Sequence, residues 1–169
     1  MPEPPQLVVM GVSGSGKTAI GEALGERLEL RYSDADGFHP DANVEKMRAG
    51  QPLTDDDRWP WLDRVGQWLA TYESSGAIVS CSALRLVYRD RLREHVPAAV
   101  FVHMYGPVEV VRARMERRRD HFMPPALLQS QYDLLEPLGN DEQGVTLDLD
   151  QPVPAIVGDY LAWAARTRP

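Results

Sequence analysis

The chain has 169 residues, of which 43% are hydrophobic and 25% charged, and its formal net charge is −7. This composition is typical of one globular domain, and the acidic balance disfavours nucleic-acid binding because the overall field repels phosphate backbones. Cys81 is the one cysteine, so there is no intramolecular disulfide. The first apolar run, residues 7–10, is too short for a membrane span and has no basic segment before it, so we expect a cytoplasmic protein without a membrane partner.

Apolar runs bounded by turn residues alternate along the chain with stretches of helical apolar spacing. The three prolines in residues 1–5 predict a disordered tail. Strands are predicted at residues 7–12, 31–33, 77–80, 98–103 and 146–149, and helices at 17–29, 55–74, 84–95 and 153–166. This alternation predicts one α/β domain over residues 1–169, with a central parallel five-stranded sheet flanked by helices. Ligands then bind at the carboxyl ends of the strands.

A phosphate-binding loop is predicted at residues 11–18, where the sequence Gly-Val-Ser-Gly-Ser-Gly-Lys-Thr matches G-x-x-x-x-G-K-[ST]. The glycines let backbone N–H groups converge, and the following helix adds its positive dipole end. A chance match is on the order of one in a hundred for such a chain. The expected ATP contacts are Gly11, Ser13, Gly14, Ser15, Gly16, Lys17 and Thr18. Lys17 would reach the β- and γ-phosphates, and the Thr18 hydroxyl would hold Mg²⁺.

Two carboxylates, Asp34 and Asp36, follow the short second strand. On an extended segment alternate side chains point the same way, so both would face the phosphate loop. One would hold Mg²⁺ through water and the other would accept the proton of an attacking hydroxyl. A solvated acidic turn is the alternative interpretation. The position after the second strand favours the functional one.

Further motifs follow in order over nearly the whole chain: D-x-D-x-x-H-P at residues 34–40, Asn-Val-Glu-Lys-Met at 43–47, Asp-Asp-Asp-Arg at 55–58, Cys-Ser-Ala-Leu at 81–84, Tyr-Arg-Asp at 88–90, His-Phe at 121–122 and Asp-Leu-Asp-Gln-Pro at 148–152. Together with the phosphate loop, this series resembles the gluconokinase family of P-loop kinases. Shikimate kinases share the architecture without the His-Pro and Asp-Asp-Asp-Arg segments. The resemblance implies Mg²⁺-dependent transfer of the γ-phosphoryl group of ATP to D-gluconate, and a homodimer.

The resemblance also implies roles for single residues. Asp36 would orient and deprotonate the sugar-acid hydroxyl, and Asp34 would be the outer-sphere Mg²⁺ partner, an assignment that rests on analogy. Arg58 would clamp the substrate carboxylate, since a guanidinium meets a carboxylate in two parallel hydrogen bonds. His39 would form hydrogen bonds with substrate hydroxyls. An equally weighted alternative is that it is a capping or packing histidine before Pro40.

The segment after the third strand should line the same cleft. We therefore expect Ser82 and Arg89 to contact the substrate. Arg85 and Arg93, on the helix that follows, are expected to be solvated.

Five arginines crowd the stretch from residue 112 to residue 119. A mobile helical lid over residues 112–135 would bring arginine to the transferring phosphoryl group and exclude water. Arg114 and Arg118 share a helix face and match family positions, so both are predicted to bind ATP, and Arg118 to act in transfer. Arg112, Arg117 and Arg119 are expected on a solvated face, with Arg112 paired to Glu116. Asp120 replaces the usual family glycine before His121.

Two other functions stay open at this point. A kinase for another small acceptor, such as a different aldonic acid or a nucleoside monophosphate, would use the same loop. A nucleotide-binding regulator without phosphotransfer would be expected to have lost the carboxylates or the lid arginines. Because Lys17, Asp34, Asp36 and Arg118 are all present, the regulator is disfavoured.

Overall fold

A computed structural model describes residues 3–118 and 125–167 of the protein. Within these residues five parallel strands form one sheet in the order β2-β3-β1-β4-β5. The strands are β1 (Gln6–Met10), β2 (Arg31–Asp34), β3 (Ala77–Ser80), β4 (Val100–Tyr105) and β5 (Gly144–Asp148). The helices are α1 (Lys17–Leu28), α2 (Asp41–Arg48), α3 (Asp55–Thr71), α4 (Leu86–His95), α5 (Val108–Arg117), α6 (Pro125–Leu134) and α7 (Val153–Thr167).

The sheet is covered on both faces, which is why its central strands are continuous apolar runs. Successive side chains of β1 point to opposite faces. Leu7 and Val9 enter a core shared with α1 and α7, whereas Val8 and Met10 enter a second core shared with α3 and α4. The predicted α/β fold is confirmed. In the described part of the chain, none of the helices combines the length and the apolar character needed to cross a bilayer.

Two short elements were not predicted. A 3-10 turn (Ala35–Phe38) follows β2, and α2 follows that turn. Because Asn43 is the one buried residue of α2, this helix has no apolar stripe that periodicity could reveal. The predicted disordered tail does not extend to Pro4 and Pro5. The Ala77 N–H donates to the Pro5 carbonyl at 3.2 Å, and Pro4 packs against Gly76.

The structure corrects the prediction that Arg89 contacts the substrate. Its side chain on α4 is 1% exposed and forms a bidentate pair with Glu142, with distances of 2.7 Å from Nε and 3.0 Å from Nη2. The remaining donors reach the carbonyls of Ala83, Leu84 and Pro137. Every N–H of this guanidinium therefore has a protein acceptor, and Arg89 joins α4 to the segment before β5.

Two further arginines of this region are paired rather than solvated. Arg93 shares the Glu142 carboxylate and lies 4.8 Å above the Phe101 ring. Arg85 pairs with Asp55 at 2.7 Å. Although burial alone would raise the pKa of Glu142, hydrogen bonds from Arg89, the Gly139 N–H and Arg93 lower it to about 2.

The Glu142→Gln substitution tests this buried pair. It keeps the shape of the side chain but leaves the Arg89 charge uncompensated. We therefore expect the free energy of unfolding, measured in urea at neutral pH, to fall by about 3–5 kcal/mol. The Glu142 pKa falls from 4.5 to about 2 on folding. The stability contributed by the ionised Glu142 is therefore complete above pH 4.5 and is lost as the pH falls towards 2. At that low pH the wild-type protein and the variant should be equally stable.

Glu94→Gln is the matched control, because the Glu94 side chain is 66% exposed. It should change stability by no more than about 0.5 kcal/mol. An equal effect of both substitutions, or a Glu142→Gln loss that persists unchanged at low pH, would contradict the assignment.

Candidate active site

The phosphate loop lies between β1 and α1 at the carboxyl edge of the sheet. Gly14 and Gly16 have φ values of 80° and 96°, a left-handed conformation that side chains with a Cβ rarely adopt. A Cβ on Gly14 would stand 2.8 Å from the Met115 side chain. Glycine is therefore required there both by the loop conformation and by the close approach of α5. Ser15, within the loop, has no exposed surface.

Lys17 begins α1 and turns back over the loop. Its Nζ donates to the carbonyls of Gly11 at 3.0 Å and Val12 at 2.9 Å. Burial lowers the Lys17 pKa, and the nearby Asp36 and Asp34 carboxylates oppose this. The Lys17 ammonium group is thus close to the loop carbonyls and to the acidic segment after β2. Thr18 is exposed at the first turn of α1.

The two carboxylates are close together, but not for the reason predicted. Asp34 ends β2 and caps the 3-10 turn, accepting from the Asp36 N–H at 2.9 Å. Asp36 lies inside the turn, so the prediction of one extended segment is wrong. Partial burial and the Asp34 charge raise the Asp36 pKa, and His39 and Lys17 oppose the rise. Asp36 itself is solvent-accessible. The turn therefore groups both carboxylates with Lys17 and His39.

Arg58 lies on the first turn of α3, near His39. Its guanidinium lowers the pKa of that imidazole, after the larger effect of burial. Nη1 of Arg58 donates to the Tyr88 hydroxyl at 3.0 Å and to Asp55 at 3.4 Å. Sequence reasoning missed these two orienting partners, although both stand inside the motifs that carried the resemblance. The side chain remains 24% exposed, so it can still meet a substrate.

A cavity of about 390 Å³ opens on the other side of the phosphate loop. It is lined by Ser15, Gly16, Ala19, Ile20, Met104, Arg114, Arg117, Arg118, Gln151, Pro152, Val153 and Ile156. Arg114 lies over the loop, with Nη1 3.8 Å from the place of a Cβ on Gly16, and Nη2 donates to the Leu149 carbonyl. The cavity therefore joins the phosphate loop to the β5–α7 segment.

Three of the predicted lid arginines line this cavity. Arg114 and Arg118 were predicted to bind ATP, whereas Arg117 was expected on a solvated face. Arg112 also differs from its prediction: its Nε is buried, with no hydrogen-bond partner among the described residues. Arg119, Asp120, His121 and Phe122 lie outside the described residues.

Helix α6 is tied to the phosphate loop through Gln131, a contact that the sequence analysis missed. The Ser13 N–H donates to Gln131 Oε1 at 2.7 Å, and Gln131 Nε2 donates to the Ser13 hydroxyl at 3.1 Å. Ser82 also borders the loop, since its carbonyl accepts from the Gly11 N–H at 3.2 Å. Both contacts join segments far apart in sequence at the carboxyl edge of the sheet.

The parallel sheet, its phosphate loop and the grouped carboxylates define the class: this is a P-loop phosphotransferase. The family model described as shikimate kinase matches residues 13–143. The gluconokinase of Gluconobacter oxydans is 46% identical over 142 residues, covering 83% of this chain and 80% of that protein. The chain belongs to the gluconokinase family.

Two further relatives show the same match over nearly the whole chain. The thermoresistant gluconokinase of Escherichia coli is 39% identical, covering 91% of this chain and 90% of that protein. The crystal structure of a gluconokinase from Sinorhizobium meliloti 1021 superposes with a TM-score of 0.89 at 46% identity, covering 98% of this chain and 94% of that one. The predicted family is therefore confirmed.

The substitution Gln131→Leu tests the link between α6 and the phosphate loop. It removes two hydrogen bonds to Ser13, so we expect the Michaelis constant for ATP to rise about tenfold, roughly the effect of 1.4 kcal/mol. Gln129→Leu on the same helix is the control, because Gln129 is exposed and contacts Asp133 at 3.0 Å. If initial-rate assays give the same Michaelis constant for ATP in both variants, the Ser13 contact does not position the loop.

Proposed function

We propose that the protein transfers the γ-phosphoryl group of ATP to D-gluconate and releases 6-phospho-D-gluconate and ADP. The observation that carries the proposal is that Asp36 lies near both Lys17 and His39, and that Arg58 lies near His39. A sugar acid offers a carboxylate and several hydroxyls, which are the groups that an arginine, a histidine and an aspartate bind. The relatives named as gluconokinases support the same acceptor.

The nucleotide occupies the loop and the arginine-lined cavity in this proposal. The phosphates are bound by the N-terminus of α1 and by loop N–H groups other than those of Gly11 and Ser13, which already donate to Ser82 and Gln131. Lys17 and Arg118 stabilise the charge on the transferring group, and Arg114 binds the phosphates next to Gly16. The adenosine lies towards Gln151 and Pro152, which line the far side of the cavity.

The acceptor lies on the α3 side of the loop. Arg58 binds its carboxylate, and His39 and Ser82 bind hydroxyl groups. The attacking hydroxyl oxygen forms a bond to the γ-phosphorus while the bond to the ADP oxygen breaks. The hydroxyl proton passes to the Asp36 carboxylate. A raised pKa suits Asp36 to this step because it makes the carboxylate a stronger base.

Mg²⁺ is the metal proposed for this site. No group of three or more His, Cys, Asp or Glu side chains in residues 3–118 and 125–167 could hold a metal. Mg²⁺ suits this arrangement because it retains several waters and needs few protein ligands beside the nucleotide phosphates. Thr18 would hold it directly and Asp34 through water. When bound, it would neutralise phosphate charge. A homodimer, a mobile lid and a cytoplasmic location stay predictions.

The direct test of the acceptor is ADP release from Mg²⁺-ATP with a panel of acceptors. The panel contains gluconate, other aldonic acids, shikimate, nucleoside monophosphates and a sample without acceptor. We expect strong ADP release with gluconate and little with the others. If another compound supports faster ADP release, that compound and not gluconate is the acceptor. Protein that binds ATP but shows no acceptor-dependent release would favour the nucleotide-binding regulator.

The Asp36→Asn substitution tests the proton acceptor. The amide cannot take the proton, so we expect turnover to fall by about 10²- to 10⁴-fold while ATP binding is retained. In the wild type, turnover should fall as the pH drops through the raised Asp36 pKa, because the protonated acid is no longer a base. Asp41→Asn, at the exposed start of α2, is the control. Weakened ATP binding with normal turnover at saturation would refute the role.

A further inference from the structure

The ring of His39 is held on one face by Trp61. The two rings stack with centroids 4.3 Å apart and planes inclined by 13°. Trp61 is itself 5% exposed, and its Nε1–H donates to the Ala35 carbonyl at 2.7 Å. The imidazole therefore packs against an indole that is fixed by the 3-10 turn carrying Asp36. Packing sets the ring plane, and the hydrogen bonds at its edge set the position of the proton.

Asn43 supplies the hydrogen bond at that edge. It is 3% exposed, and its Nδ2 donates to the Asp57 carbonyl at 2.9 Å. A backbone carbonyl only accepts, so the amide atom that faces it must be the nitrogen and not the oxygen. The same Nδ2 lies 3.2 Å from Nδ1 of His39. The Asp57 carbonyl therefore decides the orientation of the Asn43 amide.

The orientation of the amide decides the tautomer of the imidazole. An amide NH₂ group has two donors and no acceptor. Nδ1 of His39 must then accept, which requires that it carry no proton. A neutral imidazole bears its proton on the other nitrogen, Nε2. A protonated ring would place an N–H against an N–H, so this contact also disfavours the imidazolium.

We propose that Asn43 is a positioning residue that fixes His39 as the Nε2–H tautomer. In this form His39 donates a hydrogen bond to an oxygen of the phosphoryl acceptor. The inference deepens the proposed function and rests on it for the identity of that oxygen, a hydroxyl of the sugar acid. A hydroxyl both donates and accepts. It can give its hydrogen bond to Asp36 and receive one from His39, which aligns its lone pairs before transfer.

Burial and the charged groups near His39 leave the choice of tautomer to Asn43. Burial has the largest effect on the His39 pKa and lowers it, while Asp36 opposes this change and Arg58 adds to it. The neutral ring is therefore favoured, and its single proton can lie on either nitrogen. With that proton on Nδ1, the unprotonated Nε2 could not donate to the substrate hydroxyl. The Asp57-Asn43-His39 chain therefore places the proton on the nitrogen that the proposed contact needs.

The tautomer can be read directly by long-range ¹H–¹⁵N correlation of the full-length protein labelled at histidine nitrogens. The chain has 4 histidines, and His39→Gln identifies the signals of His39. At neutral pH we expect a protonated Nε2 and an unprotonated Nδ1. An Nδ1–H tautomer or an imidazolium in the wild-type protein would overturn the proposal. This readout does not depend on any acceptor, so it separates failure of the inference from failure of the proposed function.

Asn43→Asp reverses the polarity of the hydrogen bond with almost no change of shape. The carboxylate accepts, so His39 should switch to the Nδ1–H tautomer or the imidazolium. We expect the Michaelis constant for gluconate to rise about tenfold, the effect of one lost hydrogen bond, while that for ATP stays unchanged. Asn140→Asp, at an exposed turn, is the control and should leave both constants and the spectrum unaltered.

Two results of the variant would overturn the inference. Retention of the Nε2–H tautomer in Asn43→Asp would show that Asn43 does not set it. A switched tautomer with an unchanged Michaelis constant for gluconate would show that the His39 proton is not used by the acceptor. If Asn43→Asp does not fold, the wild-type spectrum still decides which nitrogen carries the proton.

Discussion

The hydrogen bond from the Gly11 N–H to the Ser82 carbonyl joins the loops that follow β1 and β3. These strands are neighbours in the sheet although they are far apart in the chain. The parallel arrangement places both carboxyl ends at one edge, and β2 ends beside β3. The phosphate loop, Ser82 and the carboxylates after β2 consequently face one another. The proposed acceptor and nucleotide sites both depend on this register.

The acceptor side is built mainly on α3 and its contacts. Thr54 and Asp57 form a capping box that fixes where α3 begins. Asp57 also pairs with Lys46 of α2 at 2.7 Å, and its carbonyl holds Asn43. The start of α3 therefore positions α2, while Arg58 and Trp61 on the same helix lie beside His39. One helix terminus thus organises both the cation proposed to bind the substrate carboxylate and the histidine beside it.

Local patterns predicted the parts of the structure that local forces determine. The phosphate loop is visible in the sequence because its conformation requires glycine at fixed positions. The central strands β1, β3 and β4 are visible because they are buried on both faces of the sheet. The predicted substrate contact of Arg89 is wrong because its partner Glu142 lies 53 positions away in the chain. The contact between Ser13 and Gln131 spans 118 positions, and no spacing rule reveals it. The same limit applies to Arg117, whose place in the cavity depends on how α5 packs.

A protein with a net charge of −7 must bind a nucleotide and, as proposed, an anionic acceptor. Local charge resolves the apparent conflict, since fields are screened beyond about 10 Å at ordinary ionic strength. Arg114, Arg117 and Arg118 line the cavity proposed for the nucleotide, and Lys17 lies close to Asp34 and Asp36. The Asp55 carboxylate, next to Arg58, would repel an anionic acceptor. It accepts hydrogen bonds from the Tyr88 hydroxyl and from Arg85, which offset its charge. Asp55 is thus paired, and Asp34 and Asp36 are proposed to serve metal binding and proton transfer, which would leave the cations to bind the anions.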